Sequence, residues 1–335
     1  MHCFGALFVS SSLALAATAS PAKSTLKAAA SPRYFAAAIG YGHLTNKTDH
    51  LFREIAVAEY GGLTPENEMK WEITEPEQGV FNFTQAEIIV SFAEAHDYVI
   101  RGHTLVWYSQ LAPWVTEIPE SEVLSAMQNH ITTAMTHFKG RIYAWDVVNE
   151  GFNDDGTFRD NVFLENIGED YFEIAYQTAR KADPRAKLYY NDYNTEGVNN
   201  KSDSVLSLVK SLKSKGLIDG VGFQSHFIVG SVPNDLQANL QRFVDAGVEV
   251  AITELDIRAN TPVNASVIAQ HAKDFAFVVN ACQAVKKCVG ITTWGITDSY
   301  SWIPSTFPGQ GYGLLWDDSY EKKPAYYTTL TALRT

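Results

Sequence analysis

Short apolar segments alternate with longer amphipathic segments about eight times between residues 33 and 335. Eight strand–helix units in one chain predict an α/β fold, a single-domain (β/α)8 barrel of the TIM type. A doubly wound open sheet is the alternative, although no glycine-rich phosphate loop follows the first predicted strand. The predicted strands are Phe35–Tyr41, Gly62–Pro65, Tyr98–Val106, Tyr143–Val148, Lys187–Asn191, Gly220–Gln224, Glu249–Leu255 and Gly290–Gly295. The predicted helices include Glu120–Phe138, Glu169–Ala182, Ser202–Lys215, Leu236–Ala246 and Val267–Val285.

Polar and aromatic residues follow nearly every predicted strand. Taken singly, each has a structural explanation, such as a satisfied core histidine or a rim tryptophan. In a barrel, however, the carboxyl ends of all strands meet on one face, where the active sites of this fold lie. A set placed at six or seven strand ends therefore favours a functional site over a scatter of structural residues. Its members are Glu66, Asn67, Lys70, Arg101, His103, Trp107, Asn149, Glu150, Asn191, Asp192, Tyr193, Asn194, Gln224, His226, Glu254, Asp256 and Trp294.

Two of these strands deliver a glutamate at their carboxyl end. The apolar segment Val250–Ile257 contains Glu254 and Asp256, which share one face because strand side chains alternate. The segment Tyr143–Glu150 is also apolar and ends in a glutamate. Buried acids are costly unless they have partners or a function. Solvated acids at capped strand ends explain one such segment, whereas two segments predict a pair of catalytic carboxylates.

The charge distribution disfavours two classes of partner. The net charge is −12, and the acidic residues are spread along the chain rather than clustered. This disfavours nucleic acid and anionic membranes, which both require clustered Lys and Arg. Aromatic residues make up 12% of the chain, and several tryptophans lie beside the acids. No cofactor motif and no metal-ligand set is predicted.

The first residues have the composition of a secretion signal. Residues 1–19 contain no Lys, Arg, Asp or Glu, and Ala17–Ala19 fits a small-x-small cleavage site. The apolar part is too short to span a membrane. We predict a signal peptide over 1–19 and an unstructured leader over 20–32, followed by the catalytic domain over 33–335. A short apolar disordered start is the alternative to the signal peptide.

A secreted protein folds in an oxidising compartment, where pairs of cysteines form disulfides. Cys282 and Cys288 remain after removal of Cys3 with the signal peptide, and we expect them to form a disulfide. No histidine or further cysteine lies around them at the spacing of zinc ligands. Sequons for N-glycosylation begin at Asn46, Asn82, Asn200 and Asn264.

Several motifs together resemble those of glycoside hydrolase family 10, the endo-β-1,4-xylanases. They are Thr64–Trp71, Arg101–Trp107, Trp145–Glu150, Asn191–Asn194, Gly222–His226, Ile252–Asp256, Thr293–Gly295 and Ser301–Trp302. They follow in order from about residue 33 to the end of the chain. The resemblance implies a secreted, polysaccharide-degrading hydrolase (EC 3.2.1.8) that acts on xylan and xylo-oligosaccharides without a cofactor. We expect it to be a monomer.

The resemblance also implies a role for each site residue. Glu254 is the expected nucleophile and Glu150 the expected general acid/base of a retaining double displacement. Asn149 is expected to hold the sugar 2-hydroxyl, and His226 to bond Glu254 with Asp256 behind it. The residues expected to bind the sugar on the non-reducing side of the scissile bond are Lys70, His103 and Gln224, with Glu66 and Asn67 one sugar further out. Trp107, Trp294 and Trp302 are expected to form the walls of these subsites. Tyr193 and Asn194 are expected to lie across the cleavage point.

The sequence departs from the family pattern at two places. Tyr108 follows Trp107 where the family commonly has histidine, and Ser299–Tyr300 stands where a charged pair is more usual. Neither position is one of the two glutamates, so the departures bear on sugar contacts rather than on the chemistry. A β-1,4-glucanase on the same scaffold and a non-catalytic carbohydrate-binding relative are the competing hypotheses, and the presence of both glutamates with Asn149 disfavours the second.

Overall fold

The computed structural model describes residues 24–335, and its centre is a closed barrel of eight parallel strands. The strands are β1 (Tyr34–Ile39), β2 (Gly62–Pro65), β3 (Val99–Gly102), β4 (Ala144–Asn149), β5 (Lys187–Asp192), β6 (Gly220–Phe223), β7 (His226–Ile228), β8 (Glu249–Asn260), β9 (Cys288–Thr293) and β10 (Gln310–Gly311). The barrel runs in the order β1-β2-β3-β4-β5-β6-β8-β9, and parallel pairing of β9 with β1 closes it. The predicted TIM barrel is therefore confirmed.

Helices connect the strands and cover the outside of the barrel. They are α1 (Leu26–Ala30), α2 (Tyr41–Thr45), α3 (His50–Glu59), α4 (Trp71–Thr74), α5 (Thr84–Glu94), α6 (Glu120–His137), α7 (Val162–Ile167), α8 (Asp170–Ala182), α9 (Asn200–Ser214), α10 (Leu236–Asp245), α11 (Ala265–Ala284), α12 (Ile303–Thr306) and α13 (Pro324–Leu333). Short 3₁₀ turns form at Pro113–Thr116 and Asp298–Tyr300. Because helices cover the strands from outside and side chains fill the inside, the strands are apolar almost throughout.

Glycines inside the barrel make room for large aromatic rings. A Cβ atom at Gly102 would lie 2.2 Å from the ring of Trp145, and one at Gly220 would lie 2.3 Å from the ring of Tyr189. Both rings are buried, and the guanidinium of Arg101 stacks over Tyr189 at 4.5 Å. The barrel interior around these rings is thus a packed core.

The prediction of an unstructured leader over 20–32 is wrong for α1. Leu26, Ala29 and Ala30 are buried on one side of this helix, which packs against α13. The backbone N–H of Leu26 donates to the Glu59 carboxylate at 2.9 Å, and Lys27 Nζ donates to a carbonyl of α3 at 2.6 Å. One helical turn is too short for its periodicity to be recognised in the sequence. The predicted signal peptide (1–19) and the first leader residues lie outside the described residues.

The seventh barrel strand is longer than the sequence predicts. The prediction ends at Leu255, whereas β8 continues to Asn260. Its outer part pairs with β7 in parallel and with β10 in antiparallel orientation, so both edges of the extension have hydrogen-bond partners. The third strand is shorter than predicted, because β3 ends at Gly102. The extension carries Asp256 and Arg258 beyond the barrel rim.

A disulfide joins Cys282, at the end of α11, to Cys288, the first residue of β9, as predicted. Closing so small a loop contributes about 2 kcal/mol by chain entropy. The four predicted glycosylation asparagines, Asn46, Asn82, Asn200 and Asn264, are exposed. Within residues 24–335, no helix combines the length and apolar character that a membrane crossing requires.

Candidate active site

The predicted site residues meet in one cleft of about 670 Å³ at the carboxyl face of the barrel. The cleft is lined by Glu66, Asn67, Lys70, His103, Trp107, Tyr108, Gln110, Asn149, Glu150, Tyr193, Asn194, Gln224, His226, Glu254, Arg258, Trp294, Trp302 and Phe307. Of the residues to which the family resemblance gave a role, only Asp256 is not part of the lining, and it lies directly behind His226. The strand-end residues Arg101, Asn191 and Asp192 are buried and do not line the cleft. Gln110, Arg258 and Phe307 line the cleft although the sequence did not single them out.

Glu150 follows β4 in an unusual backbone conformation, with φ of 56°. Its N–H donates to the Asn191 carbonyl at 2.9 Å, and its own carbonyl accepts from Arg159 Nε at 2.9 Å. The next N–H, that of Gly151, donates to the Tyr190 hydroxyl at 2.8 Å. A non-glycine residue keeps a left-handed conformation only where its surroundings fix it. These three bonds therefore hold the carboxyl group of Glu150 in one direction.

Side-chain amides connect the two glutamates. Asn191 Nδ2 donates to Glu254 Oε1 and to Asn149 Oδ1, both at 2.8 Å. Gln224 Nε2 donates to Glu150 Oε1 at 2.9 Å and lies 3.3 Å from Asn149 Oδ1. Asn149 Nδ2 also donates to Glu150 Oε1, at 3.2 Å. Both buried carboxylates thus belong to one hydrogen-bonded network, with Asn149 at its centre.

Asn191 holds this network together, although the sequence assigned it no role. Its Oδ1 accepts from Thr253 Oγ1 at 2.6 Å, which leaves Nδ2 free to donate to the network. A Cβ atom at Gly222 would lie 2.2 Å from Asn191 Oδ1, so only glycine leaves room for this amide. The Asn191–Asn194 motif and the glycine on the neighbouring strand were the available signals, but their spatial pairing was not visible in the sequence.

His226 lies between two carboxylates, as expected. Its Nε2 is 3.0 Å from Glu254 Oε2, and its Nδ1 is 3.0 Å from Asp256 Oδ1. Burial lowers the pKa of His226, but the charge of Asp256 and the hydrogen bonds to both acids raise it to about 10. Both ring nitrogens therefore donate. Trp302 Nε1 completes the arrangement by donating to Asp256 Oδ2 at 2.7 Å.

Glu254 remains ionised in this environment. Burial raises its pKa, but the hydrogen bond from His226, the charges of His103 and His226 and the bond from Asn191 outweigh burial and bring the pKa below its ordinary value. His103 is itself oriented from below, since its Nδ1 lies 3.1 Å from Asp146 Oδ2. A carboxylate that stays negatively charged and lines a cleft is suited to act as a nucleophile.

Lys70 provides a buried cation at one end of the cleft. Its Nζ donates to Asn67 Oδ1 at 2.8 Å and to Gln110 Oε1 at 2.7 Å, and it lies 5.1 Å from the ring centroid of Trp107. Burial lowers the pKa of Lys70, although nearby acids oppose the effect. Burial also raises the pKa of Glu66 to about 7. Hydroxyl groups entering this end meet both donors and acceptors.

Arg159 contacts two aromatic residues of the cleft and was not predicted. Its Nη2 donates to the Tyr193 hydroxyl at 2.7 Å, and its guanidinium stacks 4.6 Å from the ring of Tyr108. Lys201 is buried, and its Nζ lies 3.6 Å from the ring centroid of Tyr193. The same Nζ forms an ion pair with Asp192 at 2.9 Å. Arg159 comes from the irregular segment after β4, where the sequence gives no strand-end signal.

The two departures from the family pattern have different positions. Tyr108 lines the cleft, where it packs on Arg159. Tyr300 stacks on His43 with ring centroids 3.9 Å apart and donates to Asp49, so it joins the segment between β1 and α3 to the loop that carries Trp302. Within residues 24–335, no three side chains of His, Cys, Asp or Glu are grouped as they would be in a metal site.

Comparisons with known proteins agree with this geometry. A family model described as glycosyl hydrolase family 10 matches residues 23–332. Endo-1,4-beta-xylanase A of Phanerodontia chrysosporium is 46% identical over 314 residues, which are 93% of this chain and 77% of that protein. A glycosylated endo-β-1,4-xylanase from Gloeophyllum trabeum has a similar crystal structure, with a TM-score of 0.92 and 57% identity over 93% of this chain and 100% of that one. Xylanase 10B from Thermotoga petrophila RKU-1, solved with xylobiose, has a TM-score of 0.89 and 38% identity over 92% and 97% of the two chains.

Because His226 lies between two carboxylates, we predict that its ring loses a proton only at unusually high pH. Because the folded-state pKa of about 10 exceeds the ordinary value of about 6.5, the stability that His226 contributes is full below pH ~6.5 and is lost as pH rises through 10. In ¹⁵N NMR of histidine-labelled protein, we expect the His226 ring to be doubly protonated at pH 8. Glu254→Gln removes one acidic partner and should move the titration to lower pH. A neutral ring in the wild-type protein at pH 8 would contradict this account.

Proposed function

The chain belongs to glycosyl hydrolase family 10, and we propose that it is an endo-1,4-β-xylanase that hydrolyses internal β-1,4-xylosidic bonds by a retaining double displacement. The observation that carries the proposal is the network that runs from Glu254 through Asn191 and Asn149 to Glu150. This network holds two carboxylates near each other in an open cleft, and glycosidic cleavage requires such a pair. Relatives named as xylanases, one of them solved with xylobiose, support xylan as the substrate.

In the first step, Glu254 attacks the anomeric carbon of the sugar that lies on the non-reducing side of the scissile bond. The bond from that carbon to the leaving oxygen breaks, and Glu150 donates its proton to the oxygen. The product is a glycosyl ester of Glu254 and a shortened chain with a free hydroxyl. The hydrogen bonds from His226 and Asn191 keep the Glu254 carboxylate ionised and oriented before the attack.

In the second step, water attacks the same carbon and Glu254 leaves as a carboxylate. Glu150, now ionised, removes the proton of that water and is thereby restored to its acid form. Two inversions at one carbon give net retention. Gln224 and the backbone bonds around Glu150 support both roles, because they hold its carboxyl group in place while its charge changes.

The supporting residues fit the binding of a neutral polysaccharide. Asn149 Nδ2 lies beside Glu150 and is placed to hold the sugar 2-hydroxyl near the nucleophile. Flat sugar faces pack on aromatic rings, and hydroxyl groups pair with amide, lysine and histidine groups. The proposed substrate-binding set is Glu66, Asn67, Lys70, His103, Trp107, Tyr193, Asn194, Gln224, Trp294 and Trp302.

We further propose that the enzyme is a secreted monomer. The composition of residues 1–19, the disulfide between Cys282 and Cys288, and exposed sequons support an extracellular location. N-glycosylation at Asn46, Asn82, Asn200 or Asn264 remains a prediction of the sequence. The acidic net charge of −12 does not favour nucleic acid or anionic membranes as partners.

Initial rates on xylan and on carboxymethylcellulose, measured in parallel as reducing-sugar release, test the substrate. Xylose lacks the hydroxymethyl group of glucose, and Trp302, fixed by Asp256, is our candidate for the group that excludes it. One such group discriminates by roughly 10–200-fold, so xylan should be strongly preferred. Trp302→Ala should raise the ratio of glucoside to xyloside kcat/KM, and an unchanged ratio would exclude Trp302 as the discriminator. A wild-type preference for the glucan would replace the xylanase assignment with a glucanase.

Variants of the two glutamates test their roles. Glu254→Ala should bring turnover close to background on every substrate, because no covalent intermediate can form. Glu150→Ala should lower kcat on xylan by roughly 10²–10⁴-fold, yet spare the first step on an aryl xylobioside with a good leaving group, which departs without a proton. Glu120→Ala, which removes an exposed carboxylate at the start of α6, serves as the control and should retain wild-type rates. Equal losses on both substrate types in both cleft variants would contradict the assigned roles.

A further inference from the structure

Arg258 occupies a position where the main cleft meets a second cavity. It lies on β8 four residues beyond Glu254, and strand alternation places Glu254, Asp256 and Arg258 on one side of the strand. The second cavity has a volume of about 400 Å³. Asn194, His226 and Arg258 line both the cleft and this cavity, so the two spaces are contiguous. We call the second space the side cavity.

The guanidinium of Arg258 is held in place but carries an unpaired charge. Its Nε donates to Gln310 Oε1 at 2.8 Å, and its Cζ lies 4.1 Å from the ring centroid of Phe307. By contrast, Arg141 and Arg242 each form an ion pair with an acid. Among residues 24–335, no Asp or Glu forms an ion pair with Arg258. A rigidly placed guanidinium fork therefore faces the junction of the two cavities.

The other charged groups of the side cavity already have partners. Asp154 accepts from Asn194 Nδ2 at 3.2 Å and lies 3.4 Å from Lys201 Nζ. Glu196 is buried and accepts from the N–H of Ser225 at 2.7 Å, and burial raises its pKa. His226, the other cation in the lining, lies between Glu254 and Asp256. Arg258 is therefore the cation of the side cavity that has no acidic partner among residues 24–335.

The shape of the side cavity suits a branch of the substrate rather than its main chain. Phe227, exposed Ile228 and Pro233 form an apolar wall, and Asn194 offers an amide at the entrance. The volume falls in the range of small-ligand sites. An unsubstituted xylan chain carries only neutral hydroxyls, which can accept hydrogen bonds from a guanidinium but cannot neutralise its charge. A carboxylate, in contrast, matches its two-pronged geometry.

We propose that the side cavity binds a uronic acid substituent of the xylan chain, with its carboxylate on the Arg258 guanidinium. The inference rests on the proposed xylanase function and adds a preference for acidic xylan to it. Because Gln310 and Phe307 hold the guanidinium, little side-chain entropy is lost when the carboxylate binds. A charge-assisted bond at a partly exposed site should raise kcat/KM by roughly fivefold to tenfold.

The test compares two xylo-oligosaccharides that differ in one group. One carries a uronic acid substituent, and in the other that carboxylate is reduced to a primary alcohol. We expect the wild-type enzyme to favour the acid by roughly fivefold to tenfold in kcat/KM, and Arg258→Gln to bring the ratio close to one. Arg258→Lys keeps the charge without the fork and should give an intermediate ratio. Lys210→Gln removes the same charge from the exposed face of α9 and should retain the wild-type ratio.

Each ratio is measured on a single preparation, so a loss of folded protein cancels. Added salt should reduce the wild-type ratio, because it screens a partly exposed ion pair, and should leave that of Arg258→Gln unchanged. Equal kcat/KM of the wild-type enzyme on both oligosaccharides would overturn the inference, and so would a wild-type ratio retained in Arg258→Gln. Failure to hydrolyse unsubstituted linear xylan would instead overturn the proposed function.

Discussion

The hydrogen bonds that keep two buried carboxylates in place are the interaction on which this site depends. Removing Glu150 and Glu254 from water costs several kcal/mol unless each has donors. Glu254 receives donors from His226 and Asn191, and Glu150 receives them from Gln224 and Asn149. The different partners also separate the two chemically, because only Glu254 lies against an imidazolium. One acid thus lies against a cation, while the other is held by neutral amides.

The barrel makes this arrangement possible because it brings donors from separate strands to one point. Asn149 ends β4, Asn191 lies in β5, Gln224 follows β6 and Glu254 lies in β8, yet all four side chains share one network. The space for it comes from a missing side chain, since Gly222 leaves room for the amide of Asn191. A network of this kind is rigid only when every member is satisfied. The fold therefore supplies the positions of these side chains, and the amides link them into one network.

The sequence predicted the features that depend on local periodicity and on strand ends. Eight alternating strand–helix units predicted the barrel. Polar residues after the strands predicted that Glu150 and Glu254 lie together on one face of it. It did not predict what tertiary contacts decide. The helix α1 forms because its apolar side meets α13, and Arg159 reaches Glu150 from an irregular segment. The position of Arg258 in the cleft depends on the extension of β8 between β7 and β10, which the sequence did not predict.

The central claim is that Glu254 and Glu150 act as nucleophile and acid/base in a double displacement. Proton NMR of xylo-oligosaccharide hydrolysis, recorded before the products undergo mutarotation, tests it most directly. Because the configuration is inverted twice at one carbon, the account predicts that the new reducing end appears first as the β-anomer. The α-anomer then grows in slowly as the products equilibrate. An α-anomer present from the first spectra would mean that water attacks directly, and it would contradict the assignment of Glu254 as a nucleophile.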